Sequence, residues 1–311
     1  MENLLAAWGE FVLGKRKKRD VQEFQHRLMD NIFTLHQDLK NGTYKHDTYH
    51  AFKISDPKPR DIHKATVRDR LIHHAIYRIL YPSFDRTWIS DSFSCRERKG
   101  THRAMDRLRF FARKVSRNHT RTCWVLKCDI RKFFASIDQG ILLAVIRKRV
   151  HDERVVALIA KVVGSFHSTG LGKGLPLGNL TSQMLVNAYM NEFDQWIKHS
   201  LKARYYVRYA DDFIILSDDK YFVEDALPRI HEFLQSCLRL KLHPDKMSMR
   251  TFASGIDFLG WVHFPDHRII RTSTKRRMLQ HLENNPSDAT KTAYRGMLAH
   301  GNAYTLMGRI R

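Results

Sequence analysis

Negative charge, cysteine and long apolar runs are all scarce in this chain. Its 311 residues carry 32 Asp and Glu against 54 Lys and Arg, a formal net charge of +22. An excess of that size points away from an acidic or neutral surface role and toward a polyanion whose binding releases counterions, so nucleic acid is the expected ligand. No run of about 18 apolar residues exists and no long basic amphipathic face dominates, which excludes a spanning helix and argues against a membrane partner. The four cysteines, Cys95, Cys123, Cys128 and Cys237, form no Cys-x-x-Cys pair and lack matching His spacing, so a zinc site is not expected. They read as four reduced thiols of a cytoplasmic protein. Leu4-Leu5-Ala6-Ala7-Trp8 precedes the basic run Lys15-Arg16-Lys17-Lys18-Arg19, the reverse order of a signal peptide. The basic run reads as a solvated or RNA-contacting surface. Internal repeats and low-complexity segments are missing too.

What is present is a globular composition, 43% hydrophobic, in a chain long enough for two or three subdomains around a shared cleft. Phe24, Leu28, Ile32, Leu35 and Leu39 recur at helical spacing and predict one amphipathic helix from Val21 to Lys40, ended by Asn41-Gly42. The Pro-interrupted stretch Asp56-Pro57-Lys58-Pro59-Arg60 leads into a second helical pattern through Ile62, Val67, Leu71, Ala75, Ile79 and Leu80, closed by Pro82. Val186, Tyr189, Met190, Phe193, Trp196 and Ile197 mark a buried helical stripe. After Pro265 the chain reads as basic and helical.

Chemistry concentrates in Tyr209-Ala210-Asp211-Asp212. Two adjacent carboxylates lie between Tyr205-Tyr206-Val207 and Phe213-Ile214-Ile215-Leu216, which read as paired strands with the acids at their turn. A third acid, Asp129, ends the alternating run Cys123-Trp124-Val125-Leu126-Lys127-Cys128. An isolated Asp-Asp pair is usually a solvated turn. Three acids gathered on neighbouring strands would instead hold two divalent cations about 3.5–4 Å apart, as in-line phosphoryl transfer by polymerases requires.

Four segments appear in an order that decides between these readings: Asp129-Ile130-Arg131-Lys132-Phe133-Phe134, Gly178-Asn179-Leu180-Thr181-Ser182-Gln183, Tyr209-Ala210-Asp211-Asp212, and Phe258-Leu259-Gly260. In sequence they resemble the successive palm motifs of reverse transcriptases. The resemblance implies an α+β right-hand polymerase with an antiparallel palm sheet carrying the acidic hairpin. N-terminal helices and fingers would occupy residues 1–122, the palm (with part of the fingers) 123–264, and a short basic helical thumb 265–311, with no further nuclease or DNA-binding domain. It implies two Mg²⁺ ions, or Mn²⁺ in their place, held by Asp129 and Asp211 with Asp212 as a weaker third ligand and the backbone carbonyl of Ile130 assisting.

Further roles follow from the same resemblance. Phe134 would stack under the sugar of the incoming nucleotide and exclude a 2′-hydroxyl, with Phe133 and Phe134 both open to a simple core role. Arg96 and Lys99, in Ser94 to His102, would grip the triphosphate, though Glu97 and Arg98 stand where many relatives carry Pro and Gly, and a generic RNA-contacting loop is the lesser alternative. Lys246 resembles the lysine that protonates pyrophosphate; its bland reading is a surface lysine. Tyr209, Phe258, Leu259 and Gly260 would contact primer and template, as would Lys275, Arg276 and Arg277, while a buried strand with a Gly bulge explains Phe258 to Trp261 as well. Asp218-Asp219 is expected to be solvated and inert.

Most reverse transcriptases have Gln at the position of Leu177 and Pro at that of Gln183. Leu177 before Gly178, with Gln183, resembles the enzymes of diversity-generating retroelements, related to group II intron and retron enzymes. That narrower resemblance implies error-prone copying at template adenines and a small basic ring-forming accessory protein, beside template RNA, primer and deoxynucleoside triphosphates as partners, in the cytoplasm of a bacterial or phage-infected cell. The alternatives are a reverse transcriptase of an anti-phage defence system or retron, and a catalytically silent RNA-binding protein. Intact Asp129, Asp211 and Asp212, with Phe134 and Gly178, favour catalysis.

Overall fold

Two compact units form, each assembled from separate stretches of chain in a computed structural model that describes residues 1–55 and 59–310. The first comprises Met1–Ile89, Arg131–Asp194 and Leu234–Leu240; the second comprises Ser90–Ile130, Gln195–Phe233 and Lys241–Arg311. Asp56, Pro57 and Lys58 of the proline-interrupted stretch lie outside the described residues.

The chain opens with helices α1 (Glu2–Phe11), α2 (Arg19–His26) and α3 (Leu28–Asn41), then an antiparallel hairpin of β1 (His50–Ile54) and β2 (Arg60–Lys64), then α4 (Val67–Asp85). The single helix expected from Val21 to Lys40 is therefore two. Arg27 leaves helical geometry at φ −120°, ψ 44°, and the Asn31 side-chain amide donates to the exposed carbonyl of Phe24 at 2.9 Å. A one-residue break keeps the apolar positions in phase, so periodicity alone runs straight through it. The αL conformation of Gly42 at φ 70° ends α3 as its position predicts. Ile62, read as helical, pairs with Phe52 in the hairpin. Pro82 lies inside α4 rather than closing it; with only a last partial turn beyond it, the missing N–H removes one bond and leaves the helix intact.

The N-terminus of α4 is fixed by charge and hydrogen bonds. Thr66 accepts from the Asp69 amide at 3.2 Å, and the fully buried Asp69 carboxylate accepts from Thr66 Oγ1 at 2.6 Å, Tyr44 OH at 2.7 Å and the Asp47 amide at 3.1 Å. This reciprocal cap satisfies a buried charge that would otherwise be costly. One turn on, His73 Nδ1 bonds Thr181 Oγ1 and its Nε2 lies 3.2 Å from His46 Nε2.

Burial pushes the His73 pKa down to about 3, with His46 and His74 acting the same way; burial likewise lowers His74 and His263 to about 4. An imidazole kept neutral in the fold but ordinary in the unfolded chain lets the unfolded state take up its proton first. Stability is thus complete above pH about 6.5 and falls as the pH drops toward 4. From His73 alone the loss at pH 4.5 should be on the order of 3 kcal/mol. Urea unfolding of the wild type and of His73→Gln at pH 7 and pH 4.5 checks this, because Asp212, raised to about 7, gains stability over the same interval; an equal change with pH in the two proteins would show that His73 is not held neutral.

Helix α5 (Thr101–Val115) leads into β3 (Trp124–Asp129), and the short α6 (Phe133–Ser136), α7 (Gln139–Arg147), α8 (Glu153–Gly164) and α9 (Leu180–His199) follow. Next come β4 (Tyr205–Tyr209), β5 (Asp212–Ser217), α10 (Lys220–Leu238) and β6 (Ser248–Thr251). A four-stranded antiparallel sheet in the order β4-β5-β3-β6 forms the centre of the second unit. Its Val125, Val207, Ile214 and Leu216 pack in one apolar core with Leu108, Phe111 and Ala112 of α5. A three-stranded meander of β7 (Ile256–Phe258), β8 (Trp261–His263) and β9 (Arg268–Ile270) and the helices α11 (Thr272–Asn284), α12 (Asp288–Leu298) and α13 (Tyr304–Gly308) complete the same core through Phe258, Trp261, Met278, Leu298 and Leu306. The fold is mixed α+β, with its acidic residues at one end of an antiparallel sheet. Among the described residues no helix is long and apolar enough to cross a membrane.

Candidate active site

β3 and β5 bury Val125, Leu126, Cys128 and Phe213 to Leu216, consecutive residues on both faces of the sheet where an alternating, half-buried β3 was expected, and their acids come to the same end of the sheet. Asp129 is the register partner of Asp212, which also faces Tyr209 across the β4–β5 turn. The turn is sharp because Ala210 adopts φ 55°, a left-handed conformation that costs a non-glycine residue about 1–2 kcal/mol. Two hydrogen bonds hold it: the Ile130 amide donates to Asp211 O at 3.1 Å, and Arg208 Nη1 donates to Ala210 O at 3.0 Å. Arg208 is itself fully buried, with Nη2 on Ser92 Oγ at 2.9 Å.

Three carboxylates at one sheet end repel one another, and the local electrostatics record it. Burial, with Asp129 and Asp211 adding to it and Lys127 opposing, pushes the Asp212 pKa up to about 7. Asp212 Oδ1 is buried with no hydrogen-bond partner among the described residues, while Oδ2 lies 3.5 Å from Lys127 Nζ. Lys246 Nζ sits 2.7 Å from Asp129 Oδ1. Among the described residues no group of three or more His, Cys, Asp and Glu side chains is already disposed around a metal position. The donor chemistry nevertheless suits a hard cation: carboxylate oxygens, one of them unpartnered, with charge to neutralise.

Lys127 and Arg208 are partners of the site that the motif reading passed over. Their signal lay in the strands themselves, since a cation between Leu126 and Cys128, or between Val207 and Tyr209, interrupts an otherwise apolar or aromatic run. Asp218 and Asp219 are exposed, and Asp219 Oδ1 accepts from the amides of Tyr221 and Phe222 at the start of α10.

The other candidates fall as follows. Arg96 Nη1 donates to Ser92 O at 3.1 Å and Lys99 Nζ to Ser90 O at 2.7 Å, so both cations brace their own loop. Tyr209 is half-buried and accepts from Thr101 Oγ1 at 3.2 Å. Phe258 is buried, while Leu259 and Gly260 make the β7–β8 turn at φ 52° and 87°. Lys275, Arg276 and Arg277 lie on α11, Arg276 exposed and the other two half-buried.

In the first unit, Phe133 is buried and Phe134 only half-buried, its carbonyl accepting from the Leu175 amide at 2.9 Å. Leu177 O accepts from the His63 amide at 3.1 Å, and Asn179 Nδ2 donates to His63 O at 3.0 Å, so this loop is laid along β2. Gly178 has φ +105°, a backbone conformation that favours glycine, and a Cβ there would lie a tight 3.0 Å from Ile62 Cγ2.

Comparison with known proteins shows what this chain is similar to. YkfC of Escherichia coli K12 is 26% identical, covering 81% of this chain and 74% of that protein. The group II intron-encoded protein LtrA of Lactococcus lactis is 23% identical over 80% of this chain but only 51% of its own length, so the chain spans about half of that relative. Among solved structures, apo telomerase from Candida tropicalis superposes with a TM-score of 0.56 at 10% identity, covering 71% of this chain and 48% of that one. Telomerase from Candida albicans in complex with a telomeric RNA fragment gives 0.54 at 11% identity, covering 79% and 51%; at such identities the likeness is one of fold. The pattern of the family described as reverse transcriptase (RNA-dependent DNA polymerase) matches residues 45–263. With most of its length matched, this chain belongs to the reverse transcriptase family, as a nucleic-acid-polymerising enzyme related to those of group II introns and retroelements.

Proposed function

We propose that this enzyme copies an RNA template into DNA by two-metal nucleotidyl transfer, and that it serves a diversity-generating retroelement. The observation that carries the polymerase reading is the register of Asp129 against Asp212 beside a turn that presents Asp211, with Asp212 Oδ1 left unpartnered. Asp129 and Asp211 would hold two Mg²⁺, or Mn²⁺, with Asp212 and the Ile130 carbonyl contributing. Bound there, the ions would lower the pKa of the primer 3′-hydroxyl and steady the leaving pyrophosphate.

The chain's own residues do the rest. Arg208 and the Ile130 amide keep the acidic turn in place, and Lys127 holds compensating charge beside Asp212. Lys246 Nζ would give a proton to pyrophosphate, help of a kind typically worth about 10²–10⁴-fold. Arg96 and Lys99 would bind the triphosphate, and Tyr209, Phe258 to Gly260 and Lys275 to Arg277 would track primer and template. In this reading fingers, palm and thumb fall at residues 1–122, 123–264 and 265–311. Primer extension on an RNA template with deoxynucleotides and Mg²⁺ tests the activity; no extension by folded protein would sink it.

The retroelement reading is carried by Leu177 and Gln183, with a small basic ring-forming accessory protein as the proposed partner, in a bacterial or phage-infected cell. An aliphatic side chain beside Gly178 neither donates nor accepts a hydrogen bond near the incoming sugar, so correct and incorrect pairs are held less differently. Discrimination is a difference of transition-state energies, and about 1.4 kcal/mol of it changes the error ratio tenfold. Leu177→Gln should therefore lower misincorporation several-fold, most visibly opposite template adenine. Sequencing DNA made by both proteins on one template checks this. Equal spectra would remove Leu177 from the argument, and a wild-type spectrum without adenine excess would overturn the retroelement reading while leaving the polymerase.

A further inference from the structure

The two lysines that face the acids are held in different ways. Lys127 lies within β3 with its side chain 15% exposed, its ammonium between Asp257 O at 2.5 Å and Asp212 Oδ2 at 3.5 Å. It is a largely buried cation held at both contacts. Lys246 ends the 3₁₀ turn Pro244–Lys246 with its side chain 41% exposed, and its ammonium meets Asp129, a carboxylate only 14% exposed. Backbone contacts bring that turn to the acid: the His243 amide donates to Asp129 O at 2.8 Å, Leu242 bridges to Ile130, and the His243 ring accepts from the Asp245 amide at 3.3 Å. The Lys246–Asp129 pair is thus built into the fold and is not a chance meeting of surface side chains.

We propose that Lys246 is the charge a divalent cation must displace: it holds Asp129 closed in the metal-free enzyme, competes with the cation for that carboxylate, and is released toward solvent when the cation enters. The proposal rests on reading the three acids as a metal centre. Asp129 Oδ1 accepts from the ammonium at 2.7 Å, and a dication on the same carboxylate would bring like charges within a few ångströms, a strongly repulsive arrangement near a protein surface. The flexible, half-solvated stem of Lys246 makes it the group that moves, while Lys127 stays. Loading of the cation would then free an ammonium beside the reacting phosphates, coupling the arrival of metal to the supply of a proton donor.

The test uses the full chain with Mn²⁺ alone, without nucleic acid or nucleotide, reading free ion by electron paramagnetic resonance. Lys246→Met is expected to bind Mn²⁺ roughly three- to tenfold tighter than wild type, the scale of a lost competing ion pair with a partly buried partner. Lys246→Gln, equally neutral but still polar, should show the same gain. If both variants bind Mn²⁺ no tighter than wild type, while wild-type binding is lost in Asp211→Asn, the displacement is wrong and the metal centre stands. If wild type shows no Asp211-dependent binding at all, both fall.

Discussion

Asp211→Asn is expected to fold at least as stably as the wild type while losing DNA synthesis by about three orders of magnitude or more. Asp211 is half-exposed at a turn, so its carboxylate contributes little to packing. Its charge adds to the repulsion that, with burial, pushes the Asp212 pKa up to about 7, and neutralising it relaxes that repulsion. The loss of activity comes from the other side of the same charge. An anion that helps hold the metal ions contributes several kcal/mol to the transition state, and each 1.36 kcal/mol is tenfold in rate. Primer extension on RNA together with thermal unfolding separates the two effects. Normal extension by a folded Asp211→Asn protein would refute the assignment, and Asp218→Asn, at an exposed position beyond β5, supplies the silent control.

Phe134→Ala should admit ribonucleotides. Phe133 is buried and its ring meets that of Phe134 edge-on at a centroid distance of 5.6 Å, which gives Phe133 the core role and leaves Phe134 half-buried. The backbone of Phe134 is anchored through its carbonyl to Leu175, two residues before Leu177, so shortening the side chain leaves the loop attached. A steric gate discriminates by the clash of one hydroxyl, and pocket differences of that size are worth about 10–200-fold. The ratio of kcat/KM for deoxy- over ribonucleotides should fall by about that factor, with deoxynucleotide incorporation retained. An unchanged ratio in an active variant would make Phe134 a packing residue.

Short apolar runs make the acid-bearing strands legible in the residue pattern alone. Alternation misleads in β3, where Val125 and Leu126 are both buried, and it is the pairing of β3 with β5 that sets Asp129 opposite Asp212. The helical stripe ending at Ile197 and the glycine stop at Gly42 are legible for equally local reasons. Local logic fails where a competing local bond costs little: at Arg27, where the Asn31 amide takes up a freed carbonyl, and at Pro82, where the helix is nearly complete. Ile62 misleads because an apolar residue at helical spacing also fits a strand whose partner, β1, is chosen by pairing rather than by spacing.

The sequence by itself determined the order of the motifs, the three acids and the excess of positive charge, because each depends on residue identity alone. Only the tertiary structure decided which cation answers which acid. Lys127 is two residues from Asp129 and on the same face of β3, yet it lies 3.5 Å from Asp212, because the pairing of β3 with β5 sets Asp212 opposite Asp129 and so makes it a diagonal cross-strand neighbour of Lys127. Lys246 is distant in sequence and meets Asp129 because the His243 and Leu242 backbone is bonded to the end of β3. Charge pairing falls off with distance in space, which sequence separation does not measure.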